Sequence, residues 1–216
     1  AIFISGFDSA PLAPDFDFIM KDMETDFQSG IDVLAKLTDG KIHLGLDARY
    51  PAAKTYTEAK KVERHYFKGP HPAGNVGVQI HKVSPINKGE VVWTLKPQDV
   101  VTIGRLFSTG IYDPSVIVAL AGSEVKKPVY YKMIRGAEIA PMIKDNIKQE
   151  NVRYISGDVL SGRKISVEGH VGFSDSLVTV IPEGDYYEMF GWITPGLKKF
   201  SVSRSYFSWL MPNKEY

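Results

Sequence analysis

The sequence predicts an α/β protein with a parallel α/β layer over residues 1–111. A small α+β module over 112–165 and an aromatic-rich, β-containing segment over 166–216 follow it. Three observations carry this reading. In the first half, short apolar runs alternate with amphipathic stretches of helical period. Runs such as 115-SVIVALAG-122 are almost continuously apolar, as strands buried on both faces are. Past residue 111 the alternation gives way to a strand, a short helix and then further strands.

The elements follow in order. Ile2, Phe3 and Ile4 make a short buried strand that turns at Gly6. The segment 8-DSAPLAPD-15 is loop. Met23, Phe27, Ile31, Leu34 and Leu37 recur at three- and four-residue spacing, which predicts a helix over 22–38 with Gly40 as a left-handed cap. A strand over 41–47 and a weak helix over 57–64 follow. Residues 91–95 read as a strand. Pro97 and Asp99 start a helix that turns Val100, Ile103 and Phe107 inward and stops at Gly110. In the module, 128–134 and 152–156 are strands, and 136–143 is a helix interrupted by Pro141. A further strand spans 176–181. The end, 190–211, is rich in aromatics without an amphipathic face.

Composition narrows the function. The chain has 216 residues, enough to bury a sizeable core. A formal net charge of +1 gives no footprint for nucleic acid, and no nucleic-acid partner is expected. Zero cysteines exclude disulfides, thiolate nucleophiles and cysteine-ligated clusters. The longest apolar runs fall far short of the roughly 18 residues that span a bilayer. The chain opens without an initiator methionine, and its start is expected to lie inside a longer protein.

The stretch 68-KGPHPAGNVGVQIHKV-83 concentrates glycine, proline and histidine. Ala73, Val76, Ile80 and Val83 fall on one helical face after Pro72, so the stretch reads as loop-to-helix. Gly74 and Gly77 thin the first turns, and an exposed helix start favours an anion. Yet the dinucleotide fingerprint and the phosphate loop are both absent, because Gly74 is followed by Asn75 and Val76. Close packing of a helix start and a phosphate site both remain open, with packing favoured. Asp8, just past the first strand, is either a site residue or a loop cap. If a pocket exists, Asp8, His71, Gly74 and Gly77 form its wall, because ligands of open α/β layers sit beyond the carboxyl ends of strands.

No metal site is expected. His71 and His81 stand ten residues apart, not at helical ligand spacing. Asp22, Glu24 and Asp26 suit the first turns of a helix, where acids interact favourably with the macrodipole. Ser156, Ser161 and Ser174 lack a nucleophile elbow, so no catalytic residue is assigned. Phe190, Trp192, Phe200, Tyr206, Phe207 and Trp209 either pack on the preceding module or form a partner surface.

The stretches 69–87, 98–110, 119–128, 155–162, 189–196 and 200–210 together resemble the A-type subunit of the bacterial Na+-translocating NADH:quinone reductase. The resemblance implies a Rossmann-like domain followed by a β-grasp-like, soluble-ligand-binding (SLBB) module. It also implies a protein that is peripheral on the cytoplasmic side of the bacterial inner membrane and docks to other subunits, especially the B-type membrane subunit. Flavins, the iron–sulfur centre and NADH are then expected elsewhere in the complex, with no cofactor in this chain. Ubiquinone is implied as a neighbour, without a matching motif that assigns it a residue. The isolated chain is not expected to be catalytic. The alternative is an autonomous nucleotide- or small-ligand-binding domain on the same fold.

Overall fold

The structure is a computed structural model that describes residues 1–197, 199 and 203–211. It forms two compact units, residues 1–182 and 183–216. The elements of the first unit run β1 (Ile2–Ser5), α1 (Phe16–Ile19), α2 (Glu24–Leu34), β2 (Ile42–Asp47), α3 (Lys54–Thr57), β3 (Glu63–Phe67), α4 (Val76–Val83), β4 (Trp93–Leu95) and α5 (Pro97–Thr109). They continue with β5 (Ser115–Ala121), β6 (Val129–Ile134), α6 (Ala140–Ile143), β7 (Val152–Ser156), β8 (Arg163–Ile165) and β9 (Leu177–Pro182).

The first sheet has the order β3-β2-β1-β4, and all its strands are parallel. Its two faces differ. Ile2, Ile4, Ile42, Leu44 and Leu46 point to one side and bury against Phe27, Ile31, Val100 and Val101 of α2 and α5. The other side carries Phe3, Ser5, His43 and Gly45 under α4, whose Gln79 is buried. This polar face is unusual for a parallel sheet, which normally buries apolar residues on both sides.

Helices α2 and α5 cross where glycines let their backbones meet. A Cβ on Gly30 would stand 2.1 Å from the Val100 carbonyl oxygen, and one on Gly104 1.9 Å from that of Asp26. At the same crossing Asp26 Oδ2 accepts from Arg105 Nε at 2.7 Å. Helix α5 starts with Pro97 in its first turn, where no N–H is required. It ends on Gly110 in the left-handed conformation, as the sequence predicts.

Several expectations need correction. Helix α2 spans only Glu24–Leu34. Leu37 is 74% exposed, and Gly40 is not left-handed; it packs closely on Ala1, which brings β2 back beside β1. The helix expected over 57–64 does not form: the single turn α3 ends at Thr57, and the edge strand β3 begins at Glu63. Phe107 is 68% exposed, and Val101 and Gly104 occupy the inner face of α5 instead. Pro141 starts α6 rather than interrupting a longer helix.

The second sheet has the order β6-β5-β9-β7-β8. Strands β5 and β9 are parallel at its centre, and the other pairings are antiparallel. Val116, Val118, Leu120, Val178 and Val180 bury against Ile139, Met142 and Ile143 around α6. Strand β9 comes from beyond residue 165, the expected module boundary, and inserts between β5 and β7. In the second unit, Phe207–Leu210 forms a short 3-10 helix. Phe190, Trp192, Phe207 and Trp209 are exposed, and Phe200 lies outside the described residues. No helix among the described residues is long and apolar enough to cross a membrane.

Candidate functional site

In the order β3-β2-β1-β4, the chain reverses its direction of travel between β1 and β4. That is the switch point where open α/β sheets leave a crevice beyond the strand ends. A cleft of about 310 Å³ lies there. Ser5, Phe7 and Asp8 reach it from the end of β1, and Thr94, Leu95 and Lys96 from the end of β4. His71, Gly74 and Asn75 come from the loop before α4, and Asp158, Ser161 and Ser174 from the second module.

Of the four residues the sequence placed on a pocket wall, Asp8, His71 and Gly74 meet in this cleft. Gly77 is exposed inside α4 and does not line it. The loop amides are already committed. Gly74 N donates to Ser9 Oγ at 2.8 Å, and Gly77 N donates to Asn75 Oδ1 at 2.9 Å. Ser9 Oγ also lies 3.1 Å from His71 Nδ1. A Cβ on Gly74 would fall 2.4 Å from the backbone nitrogen of Ser9, so this glycine is required by two chain segments in contact. Helix α4 begins at Val76, capped by Asn75, and not at Pro72 as the sequence suggests.

The lining mixes apolar and polar side chains. Phe7, Ala10, Phe16, Val76 and Leu95 supply the apolar part. Asp8, Asp99, Asp158 and a single lysine, Lys96, supply the charged part. Lys96 Nζ donates to the Ser174 carbonyl at 2.6 Å, and Asp99 Oδ1 pairs with Arg135 Nη2 at 2.7 Å. Asp8 Oδ1 accepts from Ala10 N at 2.9 Å, so Asp8 is a loop cap as well as a lining residue. Burial works against ionisation of Asp158, but the Ser161 hydroxyl and the amides of Leu160 and Ser161 hold its carboxyl below the usual range. The serine hydroxyls are spent on neighbours: Ser161 Oγ on Asp158, and Ser156 Oγ on Asp175 Oδ2 at 2.6 Å.

Ser5, Ser9, Lys96, Asp99 and Asp158 escaped the sequence reading as site residues. Only Asp99 carried a signal, as a helix-start acid. The others gather because a parallel sheet and a second module bring distant loops together.

A Rossmann-like domain with an SLBB-type module against its switch-point crevice is the class of protein that the fold and cleft define. The likeness of fold extends to two crystal structures of NAD+-reducing [NiFe]-hydrogenase. In the H2-reduced state the TM-score is 0.58 at 12% identity, covering 83% of this chain and 40% of that one. In the air-oxidized state it is 0.54 at 14% identity, covering 83% and 39%. Residues 1–112 match the family described as "NqrA second alpha/beta domain", and residues 117–167 match "NQRA C-terminal domain". The chain belongs to the NqrA family. It is 38% identical over 216 residues to the A-type subunit of the Na(+)-translocating NADH-quinone reductase of Neisseria meningitidis serogroup B, covering 99% of this chain and 48% of that protein. The namesake protein of Serratia proteamaculans is 40% identical over 221 residues, covering 99% and 47%. The chain thus spans about half the length of these curated relatives.

Proposed function

We propose that this chain serves as the cofactor-free part of a peripheral subunit in a Na+-translocating NADH:quinone reductase. It docks to the membrane subunits, the B-type one above all, on the cytoplasmic face of the bacterial inner membrane. Flavins, the iron–sulfur centre and NADH then belong to other subunits. The observation that carries this reading is the state of the switch-point cleft. A nucleotide phosphate at this position needs free amides at a glycine-rich helix start. Here Ser9 and Asn75 cap the amides of Gly74 and Gly77, and Asp8, Asp99 and Asp158 line the space. The same cleft, half apolar and half hydrogen-bonding, suits an uncharged ring with polar substituents. Asp8, His71 and Gly74 form the wall that would face ubiquinone; Gly77 plays no part in it.

Calorimetry with NADH and with flavin mononucleotide tests the reading directly. Neither is expected to bind the purified chain at micromolar strength, and the chain is expected to be colourless and inactive with NADH. Micromolar binding that Gly74→Val abolishes would favour the autonomous nucleotide-binding domain instead. Lysine cross-linking of the assembled complex is expected to join this chain to the B-type membrane subunit. The docking reading fails if cross-links from this chain reach none of the membrane subunits.

A further inference from the structure

Away from the cleft, the parallel pair β2–β3 assembles a different chemistry. His43 stands opposite Glu63 in the ladder, and His65 stands opposite Gly45, two residues along. Alternation along a strand puts His43, Glu63 and His65 on the same face of the sheet. His43 Nδ1 lies 3.0 Å from His65 Nε2 and 3.6 Å from Glu63 Oε2. One ligand atom from each of the three lies within 4.8 Å of the others. Two nitrogens that share a tetrahedral zinc-like ion at about 2.0–2.1 Å stand roughly 3.3–3.4 Å apart, so the 3.0 Å pair is near the spacing of ligands to one ion.

The surroundings favour such a site. His43 is 6% exposed, and its ring packs on Phe3 with centroids 4.3 Å apart, which holds its orientation. Lys41 Nζ holds Glu63 Oε1 at 2.6 Å, which leaves Oε2 toward the histidines. Glu63 is exposed, so water has room to complete the coordination.

We propose that His43, His65 and Glu63 bind one divalent first-row transition ion, zinc in the first instance, and so pin the edge strand β3 to β2. Two imidazoles and one carboxylate are a ligand set for such ions, whereas calcium and magnesium take oxygen ligands. The site stands on the polar face of the sheet, and its role is structural. From the sequence only His71 and His81 come into question for a metal, whereas His43, Glu63 and His65 lie on two strands and meet through the ladder.

The test is calorimetric titration of the EDTA-stripped chain with zinc chloride near neutral pH, alongside His65→Gln. One equivalent is expected to bind at micromolar strength and to raise the melting temperature. His65→Gln, half-buried on an edge strand, is expected to weaken binding at least about tenfold. If that variant misfolds by circular dichroism, Glu63→Gln at an exposed position takes its place with the same expectation. Cobalt is expected to give visible absorption bands that the variant loses. Lys41→Ala is expected to retain binding. A wild-type chain that takes up no zinc would show an N–H···N bond between the two rings and nothing more. Zinc bound equally by wild type and variant would place the ion on His71, His81 or His170. Either result overturns the proposal.

Discussion

At the scale of single residues, two glycines in one loop are expected to behave oppositely. Gly74 touches the backbone at Ser9, and neither segment can yield without moving the end of β1. Gly74→Ala is therefore expected to cost about 1–3 kcal/mol, read as a lower melting temperature. Gly77 has helical backbone, and a Cβ there would meet only Asn75 Oδ1, the oxygen that caps its own N–H, at 3.3 Å. Gly77→Ala is expected to be neutral or to stabilise by up to about 1 kcal/mol. Asp158 makes a pH prediction. Its carboxyl is held below the ordinary aspartate value, so the folded state stabilises the ionised form. That contribution is fully present above the unfolded value and is lost as pH falls through the lower folded one. Asp158→Asn is expected to cost about 1–2 kcal/mol at neutral pH. Denaturant titrations of the two proteins are expected to converge once the pH drops below that folded value.

At the scale of elements, the close crossing of α2 and α5 organises the main core. The glycines there act by removing side chains, not by unusual backbone. A methyl group on Gly104 would collide with a helix carbonyl that has no freedom to withdraw. Gly104→Ala is expected to cost about 3 kcal/mol in urea denaturation, without changing what the switch-point cleft binds. Strand β5 shows how an element end is satisfied without a neighbouring strand. Its pairing with β9 begins only at Ala119. The Gln98 side chain therefore takes over at Ile117, accepting from its N–H at 2.8 Å and donating to its carbonyl at 2.9 Å. A side-chain amide on α5 thereby extends the second sheet and ties it to the first domain.

At the scale of the first unit, that tie is joined by others between its two layers. Arg135 reaches Asp99, Lys96 reaches the Ser174 carbonyl, and Asp15 N donates to the Tyr130 hydroxyl at 2.9 Å. The Arg135 side chain is only 6% exposed, so removing it strands a carboxylate in a partly desolvated place. Arg135→Ala is expected to cost about 3 kcal/mol. Because the lost contact lies between the layers, thermal unfolding is expected to split into two transitions where the parent shows one. Two of these ties use cleft residues, since Lys96 and Asp99 line it.

The alternation of apolar strands with amphipathic helices determined the parallel layer and its change of texture near residue 111, because burial imposes the period of each element. Pro97 and Gly110 likewise marked the ends of α5, because their backbone preferences act locally. Asp8, His71 and Gly74 were legible as cleft residues from the rule that ligands sit past strand ends. Other features depended on partners far away in the chain. The edge strand β3 has no continuous apolar run, so only its ladder with β2 makes it a strand. Strand β9 owes its central place to β5 and β7, and Phe107 faces outward because Gly104 takes the contact with α2. The contribution of the second module to the cleft, and the meeting of His43 with His65 and Glu63, were decided by tertiary structure alone. Ladder register and close backbone contact act across tens of residues and leave no periodic trace in the sequence.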